Sequence, residues 1–361
     1  MVDGRLLLGP SASPYDWQHM QFKHKDAENG PVTSVAISPN GKWVAASFDD
    51  ITVTVWRLKD GMTLQNLDDQ GHNDTVWTIA WSPDSTALAS GSADSDVIIW
   101  DVATGHLEHK LSGHRSDIMA LAYSPDGSVL ASGATDCEVR LWDTETGELK
   151  HKLEGHSSDI MRILFSLDGT KLASCADSGV MLWDPRTGRR TAELKGHTSA
   201  VWCIAFAHEG DRLATGSEDK SARIWNAEDG AELVTLQEHT NAVWAVAFSP
   251  DGGEVATASY DGSVVTCDSW TGERRHIFGE QQTALVEAVA YSTQGHLIAS
   301  GSADGHVRVW DTSSGEAVAE FQGHEEKVKS VMFTPDDREL VSYAEDGTIR
   351  AWGILDALAL L

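Results

Sequence analysis

Between residues 114 and 142, the sequence places His114, Ser132 and Asp136 in an order that could serve nucleophilic catalysis. A serine hydroxyl activated by a histidine, which a carboxylate orients, is the chemistry of the serine hydrolases. That chemistry needs one such set, with its serine exposed beside an oxyanion hole. Here the same residue types return along the chain, each time followed by a tryptophan. Repetition favours a structural role, because an indole, a hydroxyl and a histidine–aspartate pair can form a buried hydrogen-bond network.

Five such sets contain all four residue types. They are His72/Ser90/Asp94/Trp100, His114/Ser132/Asp136/Trp142, His156/Ser174/Asp177/Trp183, His197/Thr215/Asp219/Trp225 and His324/Ser342/Asp346/Trp352. The set at His156 is one residue short between Ser174 and Asp177, which predicts a tighter turn there. Three further units depart from the pattern, with Glu28 and Ala46 in the first, Cys267 for Trp in the sixth and Gln282 for His in the seventh. We expect those three units to be held more by packing and less by hydrogen bonds.

The elements that carry these sets repeat with a period near 42 residues. The recurring tryptophan position is occupied by Trp56, Trp100, Trp142, Trp183, Trp225, Cys267, Trp310 and Trp352. One unit spans residues 114–155. Its segments IMALAYS, SVLASGA, EVRLWD and ELKHKL are separated by turn residues and predict four short strands, which we label a to d in chain order. One small sheet cannot bury its own faces, so neighbouring sheets must stack. Radial stacking achieves this without leaving long bare edges.

A period near 42, with Gly-His at one end of each unit and Trp-Asp at the other, resembles the WD-repeat β-propeller family. The resemblance covers about residues 17–352 and implies an all-β, closed propeller of four-stranded antiparallel blades. Eight units predict eight blades. The resemblance also implies that the amino-terminal strand, within WQHMQFKH (17–24), closes the last blade, and that each four-residue set ties strands b and c to the loop before strand a. We expect an amino-terminal extension over 1–16, one propeller over 17–353 and a short tail over 354–361.

Composition narrows the possible partners. The 361 residues include 27 Lys+Arg and 55 Asp+Glu, a formal net charge of −28. The electrostatic field of so negative a chain disfavours binding to nucleic acid and to anionic membranes, and it favours basic partners. The same charge could instead serve only to keep the protein soluble. No apolar run approaches the length of a membrane span. The four cysteines lie far apart, which argues against a zinc site or a disulfide framework and favours a cytoplasmic or nuclear protein.

Propeller loops vary while blades stay fixed, so function is sought in the loops. The resemblance implies that the candidate partner surface is the face that carries the loops between strands d and a and between strands b and c. The resemblance implies that residues beside the first Val or Ile of strand a, and the residue before each tetrad Asp, point to this face. The candidate contact residues are Trp77, Met119, Met161, Trp202, Trp244, Tyr260, Asp117, Asp159, Glu218, Glu287 and Lys329. They could fill the mouth of the channel or form an exposed aromatic and methionine platform, and Trp202 lies off the core pattern of Val201, Ile204 and Phe206, which favours exposure.

Three hypotheses for function follow. The first is a non-enzymatic, monomeric scaffold or adaptor that binds a protein or peptide with a basic segment. The second rests on Trp183-Asp184-Pro185-Arg186, which resembles the signature by which some WD-repeat substrate receptors dock, through an arginine like Arg186, on the adaptor of cullin-type ubiquitin ligases. The third is a propeller enzyme with an unseen cofactor, and the sequence offers no phosphate-binding or metal-binding motif to support it. We therefore expect no cofactor and no metal.

Overall fold

The computed structural model describes residues 7–8, 19–22, 31–67, 71–177, 179–279 and 284–354. Within these ranges the chain forms eight sheets, each built on four antiparallel strands in the order a–b–c–d, and one sheet has a fifth strand. The positions of Glu28 and Gln282, and the tail beyond residue 354, lie outside the described residues. In the described part of the chain every regular element is a strand, so it contains no helix that could cross a membrane.

The strands follow the predicted period. The a strands are Val32–Ile37, Val76–Trp81, Ile118–Tyr123, Ile160–Phe165, Val201–Phe206, Val243–Phe248, Val286–Tyr291 and Val328–Phe333. The b strands are Trp43–Phe48, Ala87–Ser92, Val129–Ala134, Leu172–Ala176, Arg212–Ser217, Glu254–Ser259, Leu297–Ser302 and Glu339–Ala344. The c strands are Val53–Arg57, Asp96–Asp101, Val139–Asp143, Gly179–Asp184, Ala222–Asn226, Val264–Asp268, His306–Asp311 and Ile349–Gly353. The d strands are Thr63–Asn66, Leu107–Ser112, Leu149–Leu153, Arg189–Leu194, Glu232–Leu236, Arg274–Phe278, Ala317–Gln322 and His19–Phe22.

The fold is therefore all-β, an eight-bladed propeller of four-stranded antiparallel blades, which confirms the predicted class. The strand His19–Phe22 pairs antiparallel with Ile349–Gly353, in a register that sets Phe22 opposite Ile349. The amino-terminal segment thus completes the last blade, as the sequence predicts. A further two-residue strand, Leu7–Leu8, runs parallel to the outer strand Ala317–Gln322 of the seventh blade.

The chain divides into two compact units, and the fifth blade contributes residues to both. One unit comprises residues 24–213 and 225–232, and the other comprises residues 1–23, 214–224 and 233–361. In the first unit, the apolar residues of neighbouring blades form shared cores, such as the cluster of Val76, Ile79, Leu88 and Trp100 with Val55 of the preceding blade. The second unit repeats this arrangement between its own blades. Within each unit, a blade is stabilised by covering a face of the next, as expected of a sheet that cannot bury itself.

Polar turns between strands a and b hold the ends of the blades in place. In the second blade, the Ser82 hydroxyl donates to Asp84 Oδ1 at 2.6 Å, and Asp84 accepts the backbone N–H of Thr86 at 3.0 Å. These hydrogen bonds lower the pKa of Asp84, chiefly through the Ser82 hydroxyl. The same arrangement recurs at Asp126 and Asp168. These turns keep an ionised carboxylate at the same place in consecutive blades.

Candidate functional site

A β-bulge at the start of strand a positions the candidate contact residues. In seven blades the pairing of strands a and b shifts register between the first and third residues of strand a. The second residue is therefore unpaired, and a bulge of this kind redirects the side chain it carries. Trp77, Met119, Met161 and Trp244 all occupy this position.

Strand a of the fifth blade shows the burial pattern of a bulged strand such as Val243–Phe248, in which the first and fourth residues are buried. In the fifth blade, Val201 and Ile204 are buried, whereas Trp202 is half-buried. Phe206 is half-buried and packs against the core. Core positions one and four of the strand break the alternation of an ordinary strand. That spacing of Val and Ile was readable from the sequence and is the signal that could have predicted the bulge.

Within the first unit, four of these side chains lie on consecutive, neighbouring a strands. We name Trp77, Met119, Met161 and Trp202 the Trp–Met row. Trp77 is the most open of the four, with 37% of its surface exposed, and the other three are half-buried. The row is thus a partly open apolar strip, and no member of it is buried in the core.

Carboxylates flank the row. The Trp77 indole N–H donates to Asp117 Oδ2 of the next blade at 3.3 Å, which orients the ring. Asp159 occupies the equivalent place one blade further on and is exposed. Both aspartates precede the first residue of a strand a, so the structure brings them beside Met119 and Met161 as the sequence arrangement required.

The second unit carries a different network at the corresponding positions. The Trp244 ring stacks on Tyr260, with centroids 4.7 Å apart and an interplanar angle of 14°. The Tyr260 hydroxyl donates to Glu287 Oε1 at 3.2 Å, and Lys329 Nζ lies 2.9 Å from Glu287 Oε2 and 2.8 Å from Glu345 Oε1. Burial, followed by the neighbouring Glu287, raises the pKa of Tyr260 to about 12, so the phenol stays protonated.

This network corrects the expectation for Glu287. Glu287 is only 3% exposed, because Tyr260 and Lys329 cover it, and it cannot form part of an acidic rim. Lys329 is held between two carboxylates. Glu218, the remaining candidate, is exposed and lies in the turn before Asp219.

The structure shows the geometry of the predicted tetrads most fully in the second and third blades. In the second blade, Trp100 Nε1 donates to Ser90 Oγ at 2.8 Å, His72 Nε2 lies 2.8 Å from the same oxygen, and His72 Nδ1 lies 3.0 Å from Asp94 Oδ2. Burial alone would raise the pKa of Asp94, but hydrogen bonds from His72 and the Asn73 backbone lower it to about 2. The set of the third blade, which ends at Trp142, has the same connections.

The eighth blade contains the predicted set with one difference. Trp352 Nε1 donates to Ser342 Oγ at 2.8 Å, and His324 Nε2 lies 2.8 Å from the same oxygen. His324 Nδ1, however, lies 2.8 Å from Thr348 Oγ1 and 3.3 Å from Asp346 Oδ2. The threonine two residues after the aspartate therefore shares the imidazole, a partner that the four-residue pattern of the sequence does not include.

The serines of these three sets are closed to any partner or substrate. The three residues are fully buried, with 0% of the surface exposed in each of Ser90, Ser132 and Ser342. A nucleophilic serine must be open to its substrate, so none of the three can act as one. Ser342 and its counterparts are structural residues and form no part of a contact surface.

The fourth blade does not contain the complete set that the sequence predicts. Trp183 and His156 both reach Ser174 Oγ, at 2.8 and 2.6 Å. Asp177, however, is exposed, and His156 Nδ1 is buried without a hydrogen-bond partner in the described part of the chain. The missing residue between Ser174 and Asp177 shortens the turn, so the carboxylate does not reach the imidazole. Burial, with a smaller effect of Arg190, lowers the pKa of His156 to about 4.

The fifth and sixth blades also bring members of their sets together. In the fifth, the rings of His197 and Trp225 meet edge to face, with centroids 6.1 Å apart, and Thr215 is buried. Asp219 accepts the Ser221 hydroxyl at 2.6 Å. The sixth blade keeps more hydrogen bonds than expected, because His239 lies 3.0 Å from Asp261 and 2.8 Å from Thr257.

One group of side chains in the described residues could bring three ligand atoms together. Atoms of His114, Asp136 and Glu138 lie within 4.8 Å of one another. His114 and Asp136 are already joined in a tetrad, and Glu138 pairs with Arg140 at 2.9 Å and Lys152 at 2.7 Å. These donors are engaged with one another and with cations of the protein, which does not suit a metal centre.

Arg186 lies in the turn between strands c and d of the fourth blade. Its side chain is 85% exposed and lies 3.8 Å from Asp184. Its backbone N–H donates to Asp184 Oδ1 at 2.8 Å. The turn therefore presents the guanidinium to solvent, at the opposite end of the strands from the Trp–Met row.

Comparison with known proteins agrees with this geometry. A family model described as "WD domain, G-beta repeat" matches eight times, at residues 19–57, 62–101, 105–143, 147–184, 188–226, 230–266, 272–311 and 315–353. A solved structure, of the computationally designed Ika8 protein, superimposes with a TM-score of 0.81 at 29% identity, and the match covers 92% of this chain and 99% of that one.

Curated relatives match over shorter stretches. Eukaryotic translation initiation factor 3 subunit I of Pyricularia oryzae is 32% identical over 22% of this chain and 22% of its own length. WD repeat-containing protein 1 of Gallus gallus is 35% identical over 28% of this chain and 16% of its own. Human striatin-4 is 35% identical over 21% of this chain and 11% of its own. These matches span less than a quarter of each relative, so the similarity is to repeat units.

Proposed function

Because the chain belongs to the WD-repeat family, whose propellers generally act as non-enzymatic protein-interaction scaffolds, we propose that it is a scaffold that binds a partner on the Trp–Met row. The observation that carries the proposal is the partly open apolar strip formed by Trp77, Met119 and Met161 at three successive bulges. Tryptophan is enriched at interface hot spots, and methionine adapts to varied partner surfaces.

The charges around the row favour a basic segment of the partner. Asp117 and Asp159 border the row, and the whole chain carries a net charge of −28. A lysine or arginine beside Trp77 would gain both cation–π attraction and an ion pair with a carboxylate. The long-range field would also accelerate the encounter with a basic partner.

The experiment is selection from a peptide library that contains segments with and without Arg and Lys, using wild type and the double variant Trp77→Ala/Met119→Ala. We expect wild type to enrich basic segments and the double variant to lose most of that enrichment. Both variant side chains lie outside the buried core, so the melting temperature should change little.

The matched control is Leu149→Ala/Leu233→Ala, which removes two apolar side chains on d strands that are 44% and 46% exposed. This control should enrich the same segments as wild type. Equal enrichment by wild type and the Trp77→Ala/Met119→Ala variant, with both folded, would contradict the proposal. Loss in the control as well would show that the effect is not specific to the row.

A second candidate function, docking on a ubiquitin-ligase adaptor, is favoured by the exposure of Arg186. The side chain is 85% exposed, and its backbone is fixed by Asp184 in the turn that follows Trp183. Purified adaptor should bind wild type and fail to bind Arg186→Ala, whereas Arg189→Ala, at an exposed position on the next strand, should bind normally. If wild type does not bind the adaptor, this candidate is wrong.

A further inference from the structure

A groove of about 610 Å³ lies between the second and third blades. It is formed by the turns between strands a and b and between strands c and d, at the opposite end of the strands from Trp77. Pro83 and Pro125 supply apolar walls, and Tyr123, the last residue of its strand a, lines the groove. A cleft of this size holds several side chains at once.

The charge of this groove is negative on all sides. Its lining includes Asp84, Glu108, Asp126, Asp143 and Glu145 and contains no lysine, arginine or histidine. Asp143 is paired with Lys150 at 2.8 Å. In the part of the chain that the structure describes, the other four carboxylates form no ion pair. Four like charges around one cleft repel one another, and a cation would relieve that repulsion.

The Tyr123 hydroxyl is a second and independent feature of the groove. Its oxygen is buried and has no hydrogen-bond partner among the described residues. Burial raises the pKa of Tyr123, so the group stays a neutral phenol that can donate and accept. A buried hydroxyl without a partner is costly, and native proteins rarely retain one without a reason.

The next groove along the chain provides a comparison within the same molecule. It has a volume of about 540 Å³ and lies between the third and fourth blades. There Phe165 takes the place of Tyr123, and Lys150 and Arg186 balance Asp126 and Asp168. The groove between the third and fourth blades thus has cations and a phenyl ring in its lining, whereas the acidic groove has the phenol and no cation.

We propose that the acidic groove binds an arginine-bearing extended segment of a protein partner. Guanidinium suits it because a planar cation can lie against the two prolines while its donors reach carboxylates and the Tyr123 oxygen. A metal ion fits less well, because these carboxylates are not among the residues whose ligand atoms converge within 4.8 Å. The site is separate from the Trp–Met row and does not depend on the function proposed for that row.

The test measures binding of a fluorescein-labelled hexa-arginine peptide by anisotropy at physiological salt. Glu108→Gln/Glu145→Gln removes two exposed groove carboxylates without touching the turn hydrogen bonds of Asp84 and Asp126. We expect binding to weaken about tenfold, as lost charge-assisted hydrogen bonds predict. Tyr123→Phe should also weaken binding while keeping or raising the melting temperature, because Phe165 already occupies the equivalent position.

The control is Glu148→Gln/Glu209→Gln, an equal change of charge at exposed positions outside both grooves. It should bind the peptide nearly as wild type does. Equal weakening in the control would show attraction to net charge and would overturn the proposal. Wild-type affinity in Tyr123→Phe would also overturn it. Loss of binding in Trp77→Ala alone would assign the peptide to the Trp–Met row instead.

Discussion

The hydroxyl of Ser90 connects three elements of the second blade. It accepts the Trp100 indole N–H from strand c and lies 2.8 Å from His72, which precedes strand a. Since Asp94 accepts a hydrogen bond from the Nδ1–H of His72, Nε2 is the acceptor nitrogen and the Ser90 hydroxyl donates to it. One buried oxygen thus satisfies two partners, and the residue types that resemble a catalytic triad serve to hold the blade together.

Replacing Ser90 by alanine leaves the Trp100 indole N–H and His72 Nε2 without their shared partner, while His72 Nδ1 keeps its hydrogen bond to Asp94. We expect Ser90→Ala to lower the free energy of unfolding by about 1–3 kcal/mol, the usual cost of an unsatisfied buried polar group. Chemical denaturation measures this directly. Ser112→Ala, at an exposed position on strand d, should change stability little. Equal stability of Ser90→Ala and wild type would contradict the role given to the tetrad.

His156 should make the protein sensitive to mild acid. Its pKa is about 4 in the folded chain against 6.5 for an ordinary histidine, so the unfolded chain binds the proton more tightly. Stability is therefore complete above about pH 6.5 and falls as the pH drops towards 4, with a loss on the order of 2 kcal/mol by pH 5.

The measurement compares melting temperatures at pH 7.5 and pH 5 for wild type and His156→Gln. The variant cannot take up this proton, so its stability should fall less between the two pH values. His72→Gln serves as the control, because it leaves His156 in place and should retain the sensitivity that His156 causes. An identical pH dependence in wild type and His156→Gln would show that this imidazole does not titrate as proposed.

At the scale of strands and turns, the turn between strands b and c requires one residue with a positive φ, in the left-handed region. The residue after the tetrad-position aspartate is Gly262 in the sixth blade, with φ of 90°, and Gly347 in the eighth, with φ of 72°. In the first blade this place is taken by Ile51, with φ of 72°. A β-branched side chain is poorly suited to that conformation, which costs an L-residue about 1–2 kcal/mol.

We therefore expect Ile51→Gly to raise the stability of the protein by about 1 kcal/mol, even though it removes an apolar side chain. The Ile51 side chain is 39% exposed, so little packing is lost. Thermal denaturation of Ile51→Gly beside Ile51→Ala separates the two effects, since alanine keeps most of the left-handed penalty. A lower melting temperature for the glycine variant would refute the interpretation.

The sequence predicted the strands well because each unit repeats the same turn chemistry and the same alternation. It also distinguished Trp225, which is buried, from Trp202, which is half-buried. It could not predict that Lys329 and Tyr260 cover Glu287, because that contact joins residues 27 and 42 positions apart in different blades.

Two departures within the tetrads have local causes. At Asp177, one missing residue changes where a short turn can place its side chain. In the eighth blade, the set of Ser342 gains Thr348 as a further partner of His324, because the turn brings that hydroxyl within 2.8 Å of the imidazole. The sequence shows the residue types at both places, but the distances depend on the path of the turn.

At the scale of the whole molecule, the net charge and the surface around the Trp–Met row both favour the basic partner that we propose. A net charge of −28 acts at long range, whereas Asp117 and Asp159 act at the Trp–Met row itself. The blades share one architecture, and the side chains at the bulges differ from blade to blade. A scaffold of this kind gains specificity by changing those side chains, without adding strands or helices.

The most direct test of the central claim is hydroxyl-radical footprinting of the protein alone and in complex with a basic peptide selected from the library. Trp77, Met119 and Met161 should lose reactivity in the complex, because the proposed partner covers them. Met62 and Trp270, which are 59% and 60% exposed in turns between strands c and d, should keep theirs. Protection of Met62 or Trp270 while the Trp–Met row stays reactive would contradict the account.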